Sequence, residues 1–171
     1  MRLFHFSEES DIAIFEPRVK ENRKDMPPVV WAIDEEHAFT FYFPRDCPRI
    51  VYTRHDGIID EDEARFFGQT SASIVVTVET GWYQRIMSTP LYMYELPADT
   101  FSLFDAYAGY YISEHTVAPI GKTMLTNALE QLMGMNIEVR FTPNLYPLKE
   151  AILNSSIKDF GMHRFANAVA L

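Results

Sequence analysis

Few of the features that announce a catalytic motif are present in this 171-residue chain. It has one cysteine, Cys47, which excludes an intramolecular disulfide and a cysteine-cluster zinc site. It has 7 glycines, and none of them forms a Gly-x-Gly-x-x-Gly fingerprint, a phosphate loop ending in Gly-Lys-Ser/Thr, or a Gly-x-Ser-x-Gly elbow. Kinase, dinucleotide dehydrogenase and serine hydrolase readings therefore lack their main evidence. Positive charge is also scarce, with 15 Lys and Arg against 24 Asp and Glu and a net charge of −9. Such a chain does not coat extended nucleic acid, because phosphate binding needs a basic surface. No apolar run approaches the ~18 residues of a membrane span. Arg2 leads into mixed polar sequence rather than a signal peptide, so a cytoplasmic protein is expected.

Metal chemistry is also without support in the pattern. His5, His37, His55, His115 and His163 are scattered, and none forms the His-x-x-x-His pair that faces one ion from a helix. The run from His55-Asp56 to Asp60, Asp62 and Glu63 lacks the glycine and residue order of a calcium loop, and reads as a solvated acidic helix.

What the chain does have is apolar and aromatic mass. Hydrophobic residues make up 47% and aromatic residues 14%, with 13 Phe and 9 Tyr, enough to fill a substantial core. Without repeats or linkers, residues 1–171 are expected to form a single domain. Short strands are expected at residues 2–6, 29–33, 50–54, 73–78 and 91–96, and an aromatic extended stretch at 107–113. Asp34 is placed to cap a helix over 35–42, stopped by Pro44 and Pro48. An acidic helix is expected near 59–67 and a helical turn within 80–88. A further helix is expected over 123–133, with Met124, Leu125, Ala128, Leu129 and Leu132 as its apolar stripe. Ile137, Val139 and Phe141 alternate with Glu138 and Arg140, which predicts a strand, and residues 145–153 close with a helix. Strands and short helices without regular βαβ alternation define an α+β class, with a strand-rich split core.

The candidate site residues lie mostly in the first quarter of the chain. His5 and Ser7 are two residues apart, so both project from one face of a strand. Trp31 lies in the apolar strand that ends at Asp34, and Tyr42 follows eleven residues later. A histidine, a hydroxyl and two rings suit a pocket that grips a ribose and stacks a flat heterocycle. Each also has a plain packing role: His5 as a core-edge histidine, Trp31 as core, Tyr42 as filler on a helix face. Basic residues for a local anion site occur at Arg18, Lys20, Arg23 and Lys24, and at Arg45, Arg49 and Arg54.

Arg2-Leu3-Phe4-His5-Phe6-Ser7 resembles the first motif of ADP-ribosyltransferases of the diphtheria-toxin and poly(ADP-ribose) polymerase type, a strand ending in His-Gly-Ser/Thr. Val30-Trp31-Ala32-Ile33-Asp34 is similar to the second motif, and Tyr42 falls where the family's second ring closes over nicotinamide. The resemblance implies an ADP-ribosyltransferase-like fold and NAD as substrate. It implies that His5 and Ser7 anchor the ribose, that Trp31 and Tyr42 stack the base, and that Arg18 or Arg45 meets the diphosphate. Phe6 stands in place of the family's glycine. Glycosyl transfer would pass through an oxocarbenium-like state that a carboxylate can stabilise. The candidates are Glu114, in a stretch from Tyr110 to Pro119 loosely similar to the family's acid-bearing region, and Glu138. Taken whole, the sequence is also similar to an uncharacterised bacterial family that opens Leu-x-His-Phe-Ser-Glu-Glu and carries a Pro-Arg-Asp-Cys-Pro loop, which implies no activity. The expected partner is a small-molecule nucleotide, with no extended nucleic acid, no membrane and no metal. A protein acceptor or partner is left unnamed. The alternatives are a non-catalytic ligand-binding or protein-interaction module on the same scaffold, and a nucleotide- or RNA-end-processing enzyme.

Overall fold

Alternating side chains build the first strand, β1 (Leu3–Ser7), and sort it onto two faces. In the computed structural model, which describes residues 1–170, the chain divides into two compact units. The first comprises Met1–Tyr42 and Pro90–Thr126, the second Phe43–Thr89 and Asn127–Leu171. The architecture is α+β and strand-rich, with one sheet in each unit.

The first unit contains β1, β2 (Val30–Asp34), β5 (Leu91–Leu96), β6 (Ser102–Asp105), β7 (Tyr110–Ser113) and β8 (Gly121–Leu125). They form a six-stranded sheet in the order β6-β7-β2-β1-β5-β8, antiparallel throughout. Leu3, Val30, Ala32, Tyr94 and Leu96 pack on one face with Phe15 and Val117. Phe4, Ile33 and Ala38 pack on the other, with Phe6, Phe41 and Tyr110 at their margin. Asp34 does cap the following turn, its Oδ1 accepting the His37 N–H at 2.9 Å. That turn becomes a short 3-10 segment, Ala38–Phe41, rather than a full helix. The expected helix over 123–133 is divided. Met124 and Leu125 belong to β8, where they pair with Tyr92 and Leu91. Asn127, in the left-handed region at φ 53°, separates β8 from the helix that follows.

The second unit contains β3 (Arg49–Thr53), β4 (Ile74–Glu79), β9 (Ile137–Thr142) and β10 (Phe160–His163), in the order β10-β3-β4-β9. Only the β4–β9 pairing in this sheet is parallel. Its helices are α1 (Asp60–Asp62), which runs into a π turn at Glu63–Phe67, α2 (Tyr83–Ser88), α3 (Ala128–Gly134) and α4 (Tyr146–Leu153). Ile50, Tyr52, Phe66, Phe67, Val75, Leu145, Ile152 and Ile157 form its core. The acidic segment is not wholly solvated. Asp62 is buried and accepts hydrogen bonds from Ser156 N at 2.7 Å and Ser156 Oγ at 2.6 Å, which lower its pKa.

Candidate functional site

β1 lies at the middle of the first sheet beside β2, with Phe4 opposite Ile33, so the two motif strands are neighbours. His5 is half-buried, and its Nδ1–H donates to the Trp31 carbonyl at 2.8 Å. Its ring lies 4.7 Å from that of Phe15, on the face that also carries Leu3. At the end of β1, Ser7 Oγ accepts the Glu9 N–H at 3.1 Å, a local turn that settles the loop leaving the strand.

Trp31 points the other way. It alternates with Ala32 along β2 and meets Tyr110 edge-on at 5.9 Å and Phe104 edge-on at 5.0 Å. Lys20 Nζ sits over the indole at 4.1 Å from the ring centre, and the Arg23 guanidinium lies 5.4 Å from the centre of Phe104. Tyr110 continues to Phe41 at 6.2 Å, Phe41 to Phe6 at 6.0 Å, and Phe6 to Tyr42 at 5.7 Å. Trp31 and Tyr42 are therefore linked by a row of rings rather than facing one another across a gap. Tyr42 is buried, and burial together with Glu35 raises its hydroxyl pKa. Phe6 fills the space beside it where a glycine would leave an opening.

The structure thus joins His5 to Trp31 through the backbone but sends their rings to opposite faces of the sheet. Arg18 is exposed and bridges Val29 by paired backbone hydrogen bonds of 3.1 Å. Glu114 is exposed, one residue past Ser113, the register partner of Val30. Arg45 and Glu138 belong to the second unit. There Arg140 Nε donates to Glu138 Oε1 at 2.7 Å, and this guanidinium, with Thr70, lowers the Glu138 pKa. A hollow of about 410 Å³ in the first unit, lined by residues that include Asp11, Tyr94 and Lys122, contains none of His5, Ser7, Trp31 or Tyr42.

Two features were missed by the motif reading. Phe104 and Tyr110 flank Trp31, and only the β6–β7 hairpin, invisible in the pattern of residues 101–113, brings them there. Asp34 and His37 form a closer pair, Oδ1 accepting from Nδ1–H at 2.7 Å. Cys47 is fully buried and its thiol is pushed up to about 12 by that burial, which disfavours the thiolate at neutral pH. Among the described residues no group of three His, Cys, Asp or Glu is placed to hold a metal ion, and no helix is long and apolar enough to cross a membrane.

Sheet, hairpins and ring row together define a two-sheet α+β protein with an aromatic surface beside β2 that carries Lys20 and Arg23, the latter ion-paired with Asp25 at 3.1 Å. The chain belongs to the family of unknown function DUF6886, whose profile matches residues 4–168. No curated protein and no solved structure matches it. The family match carries no activity and lends no support to an ADP-ribosyltransferase fold or to NAD.

Proposed function

We propose that the first unit is a non-catalytic binding module for a small nucleotide of the NAD class, and that Trp31 is its contact surface. The observation that carries this reading is the Lys20 ammonium 4.1 Å over the Trp31 ring, with Arg23 over the adjoining Phe104. A cation held on an indole marks a site where a flat ring and an anionic group are both favoured. A bound base takes the position above the indole, and the ammonium moves from ring to phosphate. Arg18, exposed two residues before Lys20, reaches the same phosphates. A cytoplasmic location, where free nucleotides are available, goes with this reading.

Titration of the intact protein with NAD, ADP-ribose, AMP and nicotinamide tests it. The emission of Trp31 should be quenched and the melting temperature raised by the phosphate-bearing ligands. Trp82, the other tryptophan, is buried in the second unit and serves as an internal control. Trp31→Ala should abolish the quench, and Lys20→Gln should weaken binding about tenfold, the worth of one charge-assisted contact. No response to any of the four ligands refutes the reading.

A second reading, ADP-ribosyl transfer, draws on the adjoining motif strands β1 and β2 and on Glu114 lying one residue past the partner of Val30. It requires nicotinamide release from NAD that Glu114→Gln reduces without loss of binding.

A further inference from the structure

Outer strands of sheets present unpaired backbone groups, and proteins guard them with bulges, lysines, prolines or short length. Three of the four outer strands here are guarded. β6 has a register shift between Leu103 and Asp105, β8 carries Lys122, and β10 spans only Phe160–His163. β9 is different. It runs six residues, Ile137–Thr142, at the margin of its sheet, without bulge, lysine or proline. Its sequence, Ile137-Glu138-Val139-Arg140-Phe141, is also complementary to itself when reversed about Val139.

The geometry points to β9 as a self-association edge, at which a second copy of this chain pairs antiparallel about a two-fold axis through Val139. In that register Glu138 lies opposite Arg140 of the second copy, and Ile137 lies opposite its Phe141. Acid meets base on one face of the joined sheets, and apolar meets apolar on the other. The match holds whichever alternate residues turn their N–H and C=O outward, because both phases allow pairing centred on Val139. Within one copy Arg140 Nε already donates to Glu138 at 2.7 Å. The other guanidinium nitrogens donate within the chain to the Tyr52 hydroxyl and the Phe66 and Phe67 carbonyls, so pairing sets two pre-formed ion pairs side by side with opposite charges facing. The strand also has apolar surface to cover. Phe141 is 36% exposed and packs edge-on against Tyr83, itself 44% exposed, while Met135 just before the strand is 47% exposed. A flexible thioether beside exposed rings adapts readily to a facing copy. Isologous pairing counts every such contact twice.

Sedimentation velocity of the full chain over a range of concentrations, combined with amide hydrogen exchange of residues 137–142, tests this. A reversible monomer–dimer equilibrium is expected, with protection of those amides rising as the dimer forms. Phe141→Lys installs the missing guard and should raise the dimer dissociation constant about tenfold, two altered contacts per dimer. Glu138→Lys sets like charges opposite each other and should weaken the dimer similarly. If Phe141→Lys loses its fold by circular dichroism, Glu138→Lys and wild-type exchange decide the matter. A wild-type monomer at every concentration with unchanged exchange overturns the inference. So does dimerisation of both folded variants at wild-type strength, which places the interface elsewhere. Protection of β9 only by an added extended peptide, without self-association, assigns the edge to a foreign strand and likewise overturns it.

Discussion

The two units reach stability by different means. In the first, every strand pairing is antiparallel, and its ion pairs lie at the surface, as Arg2 does with Glu35 and Glu95. In the second, buried polar side chains join segments far apart in sequence. Glu79, almost wholly buried, accepts the backbone N–H of Leu145 at 3.0 Å and that of Val169 at 3.0 and 3.1 Å. Arg140 donates to the Tyr52 hydroxyl and to the Phe66 carbonyl, fixing the π turn over the sheet. A sheet whose β4–β9 pairing needs a crossover cannot rely on hairpins, so buried hydrogen bonds supply the closure. The first unit has one buried anchor of this kind, the Tyr94 hydroxyl, which accepts the Ile12 N–H at 3.2 Å and donates to the Glu9 carbonyl; the second is tied by buried side chains at several points.

Removing an anchor should therefore rank among the largest effects. Glu79→Ala leaves the Leu145 and Val169 amides without an acceptor and opens a cavity at the end of β4. We expect a loss of about 3 kcal/mol, by adding one unsatisfied buried donor, Leu145 N–H, to the vacated volume, while the half-exposed Val169 can turn to water. Urea denaturation measures it. A loss below about 1 kcal/mol would mean that water replaces the carboxylate and that this anchor does not distinguish the two units.

The strongest constraint in the first unit is a turn. Gly109 has φ +75°, and a Cβ there would come within 2.4 Å of His37 Nδ1 and 2.7 Å of Asp34 Oδ1. Its carbonyl accepts the Asp34 N–H at 2.9 Å, which ties the β6–β7 hairpin to the end of β2. Gly109→Ala should cost about 3 kcal/mol, from left-handed strain together with displacement of the Asp34–His37 pair. Gly57, also at positive φ but with open space around it, should lose only the strain, about 1 kcal/mol as alanine. Similar losses at both glycines would show that crowding against His37 contributes nothing.

The same contrast explains what the sequence made legible. Strands with continuous or alternating apolar residues, such as Val29–Ile33, Ser73–Val78 and Ile137–Phe141, were readable because burial on a sheet face is a local pattern. Asp34 was readable as a cap for the same reason. β6 and β10 were not: Ser102–Asp105 is short and largely exposed, and Phe160–His163 contains a glycine and no periodicity. The 123–133 error arose because Met124 and Leu125 satisfy a helical stripe as well as a strand edge. Only their pairing with β5, a long-range event, decides between the two. At the candidate site, order along the chain placed His5 and Trp31 on adjoining strands. It could not show that their rings leave opposite faces, because that depends on register rather than on residue type.

His163 extends the comparison to pH. Burial, with Arg49 and Arg164 adding to it, pushes its pKa down from 6.5 to about 3, so it is neutral in the folded second unit. The unfolded chain binds this proton first. Its contribution is therefore fully present above about pH 6.5 and lost as pH falls towards 3. Stability should fall by about 1.4 kcal/mol per pH unit below that point. The carboxylates whose pKa values are lowered, Asp25, Asp62, Glu95 and Glu138, add their losses only further into acid. Denaturation at pH 7, 6 and 5 should show a slope that His163→Gln flattens. An unchanged slope in that variant would assign the acid sensitivity to other groups.

The smallest effect should come from the surface network of the first unit. Arg2 Nη1 reaches Glu35 at 2.8 Å, and Arg2 Nε and Nη2 each reach Glu95 at 3.0 Å. The geometry is bidentate, and it holds the Glu95 carboxyl below its ordinary range. Yet the side chains of Arg2 and Glu35 are 51% and 63% exposed, and that of Glu95 27%, so water competes for the guanidinium throughout and most for its bond to Glu35. Exposed pairs of this kind contribute at most about 1 kcal/mol, less in salt. Arg2→Ala should accordingly be nearly silent in physiological salt and measurable only at low ionic strength. A salt-independent loss as large as that of Gly109→Ala would mean that Arg2 acts by packing over Phe4, whose ring centre lies 5.0 Å from its guanidinium. In that case the first unit would depend on a second long-range anchor beside the Tyr94 hydroxyl, since Arg2 joins the start of β1 to both Glu35 and the distant Glu95, and the contrast between the units would be one of number and exposure rather than of kind.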